Sequence, residues 1–281
     1  MAESDNVLVN LQRWAQHAVN HVKGGHGSGA LLWETRPIGS SSMFSGTCYP
    51  ERALAYIGAA RKMQDPTLKE LTEPLWTCEI DSKARGSQRD SLPPTACKFE
   101  NIEHFISPKA LAEMKKVKIK HSTKRFQKWW GIASKATMCT HAYCSQHLRK
   151  CPIRDSFLDV TGSICKSFSS LGNLEGEDSE NSILLVIWMV FNFRRRTAIL
   201  THENVRGFVS QLISDEACKA GYNHVQAKCH PRDVGIPVGR PRKYFGFKKS
   251  NDHLVFSKYI YVYFYLWKPL IIYICTAESR I

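Results

Sequence analysis

The chain has 281 residues, 43% of them hydrophobic and 11% aromatic, and a formal net charge of +14; this composition is typical of a folded protein with one large core or two modest ones, and it excludes a mainly disordered chain. The basic excess favours a polyanionic partner, most commonly nucleic acid, although a solvated basic surface gives the same charge. Ten scattered cysteines and a polar first segment argue against a secreted disulfide scaffold, so we expect an intracellular protein, nuclear if its source is eukaryotic.

Helices and short apolar strands alternate along most of the chain. The spacing of apolar residues predicts an amphipathic helix over Val7–Val22, which a Gly-rich linker ends, and a second helix that begins at Pro50 and runs to Met63. Residues 39–42 are glycine and serine and make a poor strand. The other predicted elements are strands at 43–46, 75–80, 97–102, 157–162 and 197–201 and helices at 183–193 and 205–220. This alternation predicts an α/β fold, a mostly parallel sheet with helices on both faces.

Two apolar runs bear on whether the chain meets a membrane. Residues 183–193 are too few to span a bilayer. The run Leu254–Cys275 is long enough, but lysines and a proline interrupt it, and a buried pair of strands suits it as well. We therefore expect no membrane partner, with a span at Leu254–Cys275 as the alternative.

A basic segment interrupts the alternation between the third and fourth predicted strands. Seven lysines and arginines between Lys115 and Lys128 are crowded against Phe126, Trp129 and Trp130. Basic residues interleaved with aromatics suit contacts to a nucleic-acid backbone with base stacking. A solvated helix face whose aromatic residues are buried explains the pattern equally well.

A second cluster follows in the same segment and raises the question of a metal. Five potential ligands fall within thirteen residues: Cys139, His141, Cys144, His147 and Cys151. Thiolates and imidazoles are zinc ligands, but the spacing matches no standard zinc finger. We assign no metal to the predicted site and keep a structural zinc in this segment as an alternative.

The residues with the clearest chemistry follow the predicted strands. Because open parallel sheets bind ligands beyond the carboxyl ends of their strands, Cys165 and Glu203 are expected to face one pocket from adjacent strand ends. A thiolate is a strong nucleophile, and a nearby carboxyl group can deliver or hold a proton. Alone, Cys165 would be an apolar filler and Glu203 an acid at a helix start, so it is the pairing that suggests catalysis.

Five blocks in residues 40–247 resemble, in the same order, the motifs of S-adenosylmethionine-dependent cytosine-C5 methyltransferases. Residues 44–46 are similar to the Phe-x-Gly cofactor turn, 78–81 to the acid that follows it, 162–169 to the Pro-Cys-Gln loop, 203–208 to the Glu-Asn-Val block and 235–242 to the Gln-x-Arg-x-Arg block. The resemblance implies a Rossmann-like S-adenosylmethionine-dependent methyltransferase fold. It also implies methylation of cytosine C5 in DNA through a cysteine adduct, with an RNA substrate as an alternative.

The resemblance assigns four catalytic residues. It implies that Cys165 attacks C6 of a cytosine flipped out of its helix, and that Glu203 bonds N3 of the same base. Arg242 would hold the base's O2, and Arg240 would brace the loop.

The implied cofactor is S-adenosyl-L-methionine, held at the ends of the first three strands. Phe44 and Gly46 would shape its cleft, Glu79 would bind its ribose hydroxyls, and Asn101 would approach its adenine.

The chain also departs from this family. Ile164 and Lys166 flank Cys165 where the family has proline and glutamine, and residues 243–281 leave no room for the usual target-recognition domain. We therefore expect a divergent, C-terminally truncated member with impaired activity; the alternative is a catalytically inactive module that binds nucleic acid or another partner. The expected domains are 1–36, a helix and linker; 37–250, the catalytic domain with an insertion at about 110–152; and 251–281, an atypical apolar tract.

Overall fold

A computed structural model describes most of the region between residues 37 and 250. The predicted helix Val7–Val22, the tract 251–281, Cys165 and Arg240 lie outside the described residues. No helix among the described residues is long and apolar enough to cross a membrane. The described ranges are 37–46, 48–88, 91–119, 122–163, 182–206, 208, 211–230 and 242–250.

One nine-stranded sheet forms the centre of the described fold. Its strands are β1 (Ile38–Met43), β2 (Thr72–Cys78), β3 (Cys97–Phe99), β4 (His141–Cys144), β5 (Arg149–Pro152), β6 (Leu158–Gly162), β7 (Ile199–Val205), β8 (Tyr222–Cys229) and β9 (Arg242–Lys249). They lie in the order β5-β4-β3-β2-β1-β6-β7-β9-β8. The five strands from β3 to β7 in this order are parallel, and an antiparallel pair extends each edge.

The chain order of the parallel strands reverses between β1 and β6, which makes this the topological switch point of the sheet. Ligands of open α/β sheets bind in the crevice at such a point, beyond the carboxyl ends of the strands. The fold is therefore Rossmann-like α/β, as predicted. The antiparallel pairs β4–β5 and β8–β9 were not predicted.

The helices connect these strands. They are α1 (Tyr49–Gln64), α2 (Ser82–Ser87), α3 (Pro108–Lys115), α4 (Ser122–Ala133), α5 (Ser182–Arg195) and α6 (Gln211–Lys219), with a 3-10 helix at Ile102–Phe105. Helix α1 connects β1 to β2, and α5 connects β6 to β7, on the other side of the switch point. Because such connections are right-handed, the two helices lie on opposite faces of the sheet.

Two of the predicted helices agree with the structure, and one begins later than expected. The helices predicted at 50–63 and 183–193 correspond to α1 and α5. The prediction of a helix over 205–220 was wrong in its first part, because β7 continues to Val205 and α6 begins at Gln211.

Helix α5 is the centre of the main core. Almost all of its residues from Ser182 to Asn192 are buried, which explains why its sequence is apolar on every side. Its Phe191 contacts Phe105, with ring centroids 4.9 Å apart, and meets Trp76 of β2 edge-on at 6.1 Å. These aromatic contacts join α5 to β2 and to the 3-10 helix.

The aromatic residues of the basic segment belong to this same core. Phe126 and Trp129 are 2% and 1% exposed, and the Trp129 indole donates to the carbonyl of Met114 at 2.9 Å. These two rings are therefore closed to base stacking, so the structure favours the second interpretation of the segment. Its lysines remain exposed at positions 115, 116, 118, 124 and 128.

The central strand β1 is polar, although it lies between β2 and β6. Its Ser41 hydroxyl donates to Oδ2 of Asp159 at 2.6 Å, and its Ser42 hydroxyl donates to Glu51 in the first turn of α1. The Trp188 indole of α5 donates to Oδ1 of Asp159 at 2.7 Å. Because buried hydroxyl groups with hydrogen-bond partners are well tolerated, a serine-rich segment that makes a poor strand by composition forms one here.

The buried Asp159 carboxyl makes stability depend on pH. Burial raises its pKa to about 7, against the hydrogen bonds from Ser41 and Trp188, which lower it. The folded chain thus keeps a proton that the unfolded chain has lost, and its free energy of unfolding falls as pH rises towards 7, by up to about 1.4 kcal/mol per pH unit.

The free energy of unfolding of Asp159→Asn, relative to that of the unmodified chain, should therefore increase by roughly 2 kcal/mol from about pH 5 to pH 8. Urea unfolding at both pH values measures this difference. Asp155→Asn, at a largely exposed aspartate, is the control and should show little change with pH. A constant difference for Asp159→Asn would mean that Asp159 is ionised in the folded chain.

Candidate functional site

The turn after β1 adopts left-handed backbone conformations. Phe44 has φ 53° and Gly46 has φ 51°. At Gly46 this conformation favours glycine, and among the described residues no atom beyond its chain neighbours lies within 4 Å of the position that a Cβ would occupy. The turn therefore borders open space at the switch point.

Glu79 lies at the end of β2 and holds this turn. Its Oε2 accepts from the backbone N–H of Gly46 at 2.8 Å, and its Oε1 accepts from the N–H of Asp81 at 2.9 Å. A carboxylate offers about four acceptor positions, so Glu79 can take two more donors while it keeps these bonds. The vicinal hydroxyls of a ribose are donors of this kind.

Gln88 is a further residue of this site that the sequence did not reveal. Its side chain is fully buried, and its amide Nε2 donates to the Ser45 hydroxyl at 3.2 Å and to the Gly46 carbonyl at 2.5 Å. Its Oε1 accepts from the Thr77 hydroxyl at 3.1 Å. Gln88 thus binds acceptor groups of the turn, whereas Glu79 accepts from its backbone N–H. A glutamine in a turn-rich stretch carries no pattern that predicts this.

Asn101 follows β3, beside the end of β2. Its Oδ1 accepts from the N–H of Glu103 at 2.9 Å and so caps the 3-10 helix. The cap uses one of the two lone pairs of this oxygen, so Asn101 can offer a ligand the other lone pair and the amide NH₂.

Glu203 and Arg242 form a charged pair on the other side of the switch point. Their Oε1 and Nε atoms are 2.5 Å apart, and the two side chains are 20% and 9% exposed. Glu203 is the Cα partner of Gly162 at the end of β6. A Cβ on Gly162 would lie 3.3 Å from Oε2 of Glu203, so a larger residue there would crowd this carboxylate.

This pair lies beside the segment that carries the predicted nucleophile. Cys165 comes three residues after Gly162 in the chain, and both Cys165 and Arg240 lie outside the described residues. Of the four predicted catalytic residues, the structure thus describes Glu203 and Arg242 and brings them into contact.

A buried network anchors the start of that segment. Nε2 of His202 lies 2.7 Å from the Ser163 hydroxyl, and the Asn204 amide donates to the same hydroxyl at 2.9 Å. Burial lowers the pKa of His202 to about 3, so its ring is neutral and Nε2 can accept the hydroxyl proton. No role was predicted for His202 from the sequence, because alternate residues of a strand are ordinarily part of the core.

The structure brings together only some of the residues of the predicted cysteine–histidine cluster. The structure brings Cys144, His147 and Cys151 together and adds Cys97, while Cys139 and His141 are not part of this group.

The fold and the residues at the carboxyl ends of its parallel strands define a Rossmann-like α/β protein. Its switch point is lined by Glu79 on one side and by the Glu203–Arg242 pair on the other. No family model and no curated protein matches the chain.

Solved structures to which the chain is similar include three methyltransferases. They are a mutant of Spodoptera frugiperda DNMT2 (14% identity, TM-score 0.46, 78% of this chain and 52% of that one), S. pombe Dnmt2 methyltransferase (13%, 0.40, 76% and 50%) and Entamoeba histolytica methyltransferase EhMeth (13%, 0.43, 76% and 53%). The chain spans about half the length of these proteins.

A double-mutant cycle tests the Glu203–Arg242 pair. Because both groups are largely buried, we expect Glu203→Gln and Arg242→Met to be coupled by about 1–3 kcal/mol in urea unfolding. The exposed pair of Glu73 and Arg154 is the matched control, and its cycle should give no measurable coupling. Equal coupling in both cycles would contradict a buried pair at the strand ends.

Proposed function

We propose that this chain is an S-adenosylmethionine-dependent methyltransferase that acts on nucleic acid, with C5 of cytosine in DNA as its target and Cys165 as its nucleophile. The observation that carries the proposal is the contact of Glu203 with Arg242 beside Gly162, at the carboxyl ends of β6 and β7 and next to the switch point. An acid, a base-binding cation and the start of the cysteine loop thus meet where this fold class binds its ligands.

The charged pair suits one edge of a cytosine ring. N3 and O2 are adjacent acceptor atoms of that edge, so the Arg242 guanidinium can donate to O2, and the Glu203 carboxyl can donate to N3 while it carries a proton. In the proposed reaction the Cys165 thiolate bonds to C6 as the C5–C6 double bond opens, and the proton that Glu203 gives to N3 neutralises the charge that develops on the ring. C5 then takes the methyl group. Loss of the C5 proton to water, with return of the N3 proton to Glu203, re-forms the C5–C6 double bond, breaks the sulfur–C6 bond and restores the thiolate.

The methyl donor would lie beyond the carboxyl ends of β1 and β2, beside the switch point. S-adenosyl-L-methionine supplies an electrophilic methyl group when it is bound. Glu79 would accept the ribose hydroxyls, the Asn101 amide would approach the adenine, and Phe44 and Gly46 would border the cleft. Open space at Gly46 and two unused acceptor positions on Glu79 support this fit.

The proposed partner is DNA, with RNA as the alternative. The net charge of +14 and the exposed lysines of α3 and α4 support contacts to phosphates. A base in a duplex must leave the stack before a cysteine can reach its C6, so the enzyme would act on a flipped nucleotide.

Cofactor binding is tested first, because it does not depend on the nucleic-acid substrate. We expect Glu79→Gln to raise the Kd for S-adenosylmethionine at least about tenfold, since a carboxylate that accepts from hydroxyls is lost. Isothermal titration calorimetry measures the change. The control is Glu73→Gln, which alters an exposed acid of the same strand and should leave Kd unchanged. Absence of binding to the unmodified chain would contradict the proposal.

The cysteine adduct is tested separately. DNA that contains 5-fluorocytosine should form a covalent adduct with the chain when cofactor is present, because fluorine at C5 blocks the elimination step. Cys165→Ser should abolish the adduct, and Cys218→Ser, at an exposed cysteine of α6, should retain it. Adduct formation is read on denaturing gels. DNA binding without an adduct would favour the inactive, nucleic-acid-binding alternative.

A further inference from the structure

We propose that Cys97, Cys144, His147 and Cys151 bind a structural zinc ion. Their ligand atoms all lie within 4.8 Å of one another. The residues come from three neighbouring strands and one turn: Cys97 begins β3, Cys144 ends β4, His147 lies in the turn after it, and Cys151 belongs to β5. None of them is part of the proposed cofactor or catalytic set, so this inference stands apart from the proposed function.

The three nitrogen–sulfur distances within the group are those that one tetrahedral ion requires. Nδ1 of His147 lies 3.7 Å from the Cys97 sulfur, 3.3 Å from the Cys144 sulfur and 3.5 Å from the Cys151 sulfur. With zinc–sulfur bonds of about 2.3 Å and a zinc–nitrogen bond of about 2.0 Å, tetrahedral geometry separates sulfur from nitrogen by about 3.5 Å. A single ion at the centre of the group therefore reaches all four atoms.

Hydrogen bonding alone explains this convergence poorly. Nδ1 of a neutral imidazole has one lone pair, so it can accept one thiol proton and not three. The three sulfurs nevertheless surround it, all three cysteines are buried, and none of them is in a disulfide. A cation with four coordination positions satisfies every ligand at once, and three sulfurs with one imidazole nitrogen favour zinc.

The surroundings of the group orient it for a metal. Nε2 of His147 lies 3.1 Å from the carbonyl oxygen of Pro94, a bond that keeps the proton on Nε2 and turns the lone pair of Nδ1 towards the sulfurs. The backbone N–H of Lys98 donates to the Cys144 sulfur at 3.3 Å, which stabilises a thiolate. Both contacts are typical of the outer shell of a metal site.

Zinc would join the β4–β5 hairpin to the parallel sheet. Strand β3 has three residues and meets β4 at the Phe99–Cys144 pair, supported by the bond from the Ser145 N–H to the Lys98 carbonyl at 2.9 Å. So short a contact gains most from a cross-link, because metal binding adds directly to folding free energy. The proposed ion is thus a clamp on this edge of the sheet.

The full-length chain, expressed with zinc in the medium and purified in metal-free buffer, tests the proposal by mass-spectrometric metal analysis. We expect one zinc per chain, falling to less than about a tenth of that in Cys97→Ser, because loss of a ligand opens the site. Cys139→Ser is the matched control. It alters a cysteine of the same segment that lies outside the group, and it should retain the zinc.

X-ray absorption at the zinc edge and circular dichroism complete the test. The spectrum should show three sulfurs at about 2.3 Å and one nitrogen at about 2.0 Å. Removal of zinc with a chelator should lower the Tm of the unmodified chain and leave that of Cys97→Ser unchanged, whether or not that variant is fully folded. Absence of zinc from the folded, unmodified chain, or its loss in Cys139→Ser with retention in Cys97→Ser, would overturn the proposal.

Discussion

Asp159 and Glu51 hold the central strand by accepting hydrogen bonds from its serine hydroxyls. Strand β1 pairs with β2 on one side and with β6 on the other, so the switch point exists only if β1 stays in the sheet. A buried hydroxyl without a partner costs about 1–3 kcal/mol, and β1 buries three consecutive serines. The two carboxyls turn this polar segment into a strand that the rest of the sheet can use.

The same interaction sets the geometry of the candidate cofactor turn. The bond from Ser42 to Glu51 ties the end of β1 to the first turn of α1, and the turn that carries Phe44 and Gly46 runs between them. Burial raises the pKa of Glu51, which favours the neutral form of this carboxyl in its buried position. Gln88 and Glu79 then fix the turn from two sides. The strand and the helix that flank the turn are thus joined directly.

Apolar strands and helices could be predicted from the sequence, because each is a run of apolar residues between turns. Strands β2 and β6 and helix α5 were found in this way. The segment that forms β1 was predicted to be a poor strand. Its hydrogen-bond partners Asp159 and Glu51 lie elsewhere in the chain, so the composition of the segment does not indicate them. The β4–β5 hairpin was missed because its strands have only four residues each and neither is a run of apolar residues.

Some residues of the candidate site could likewise be predicted from the sequence, and others could not. The positions of Glu79 and Asn101 could be predicted because they follow strands, and that of Glu203 because it lies near the carboxyl end of one; strand ends of a parallel sheet meet at one edge. Gln88 and His202 could not, because their roles depend on partners brought close by folding. The metal-ligating group shows the limit most clearly: local spacing pointed to Cys139 and His141, whereas the sheet brings in Cys97 from a distant part of the chain.

The position of β5 at the outer edge of the sheet has a consequence for how copies of this chain behave at high concentration. An edge strand offers unpaired backbone groups to any other strand, and this is a common route to aggregation. Here the strand has four residues, and Arg149 and Lys150 are exposed on it. Two such edges brought side by side would set four positive charges against each other, so the hairpin resists the strand exchange that its location would otherwise invite.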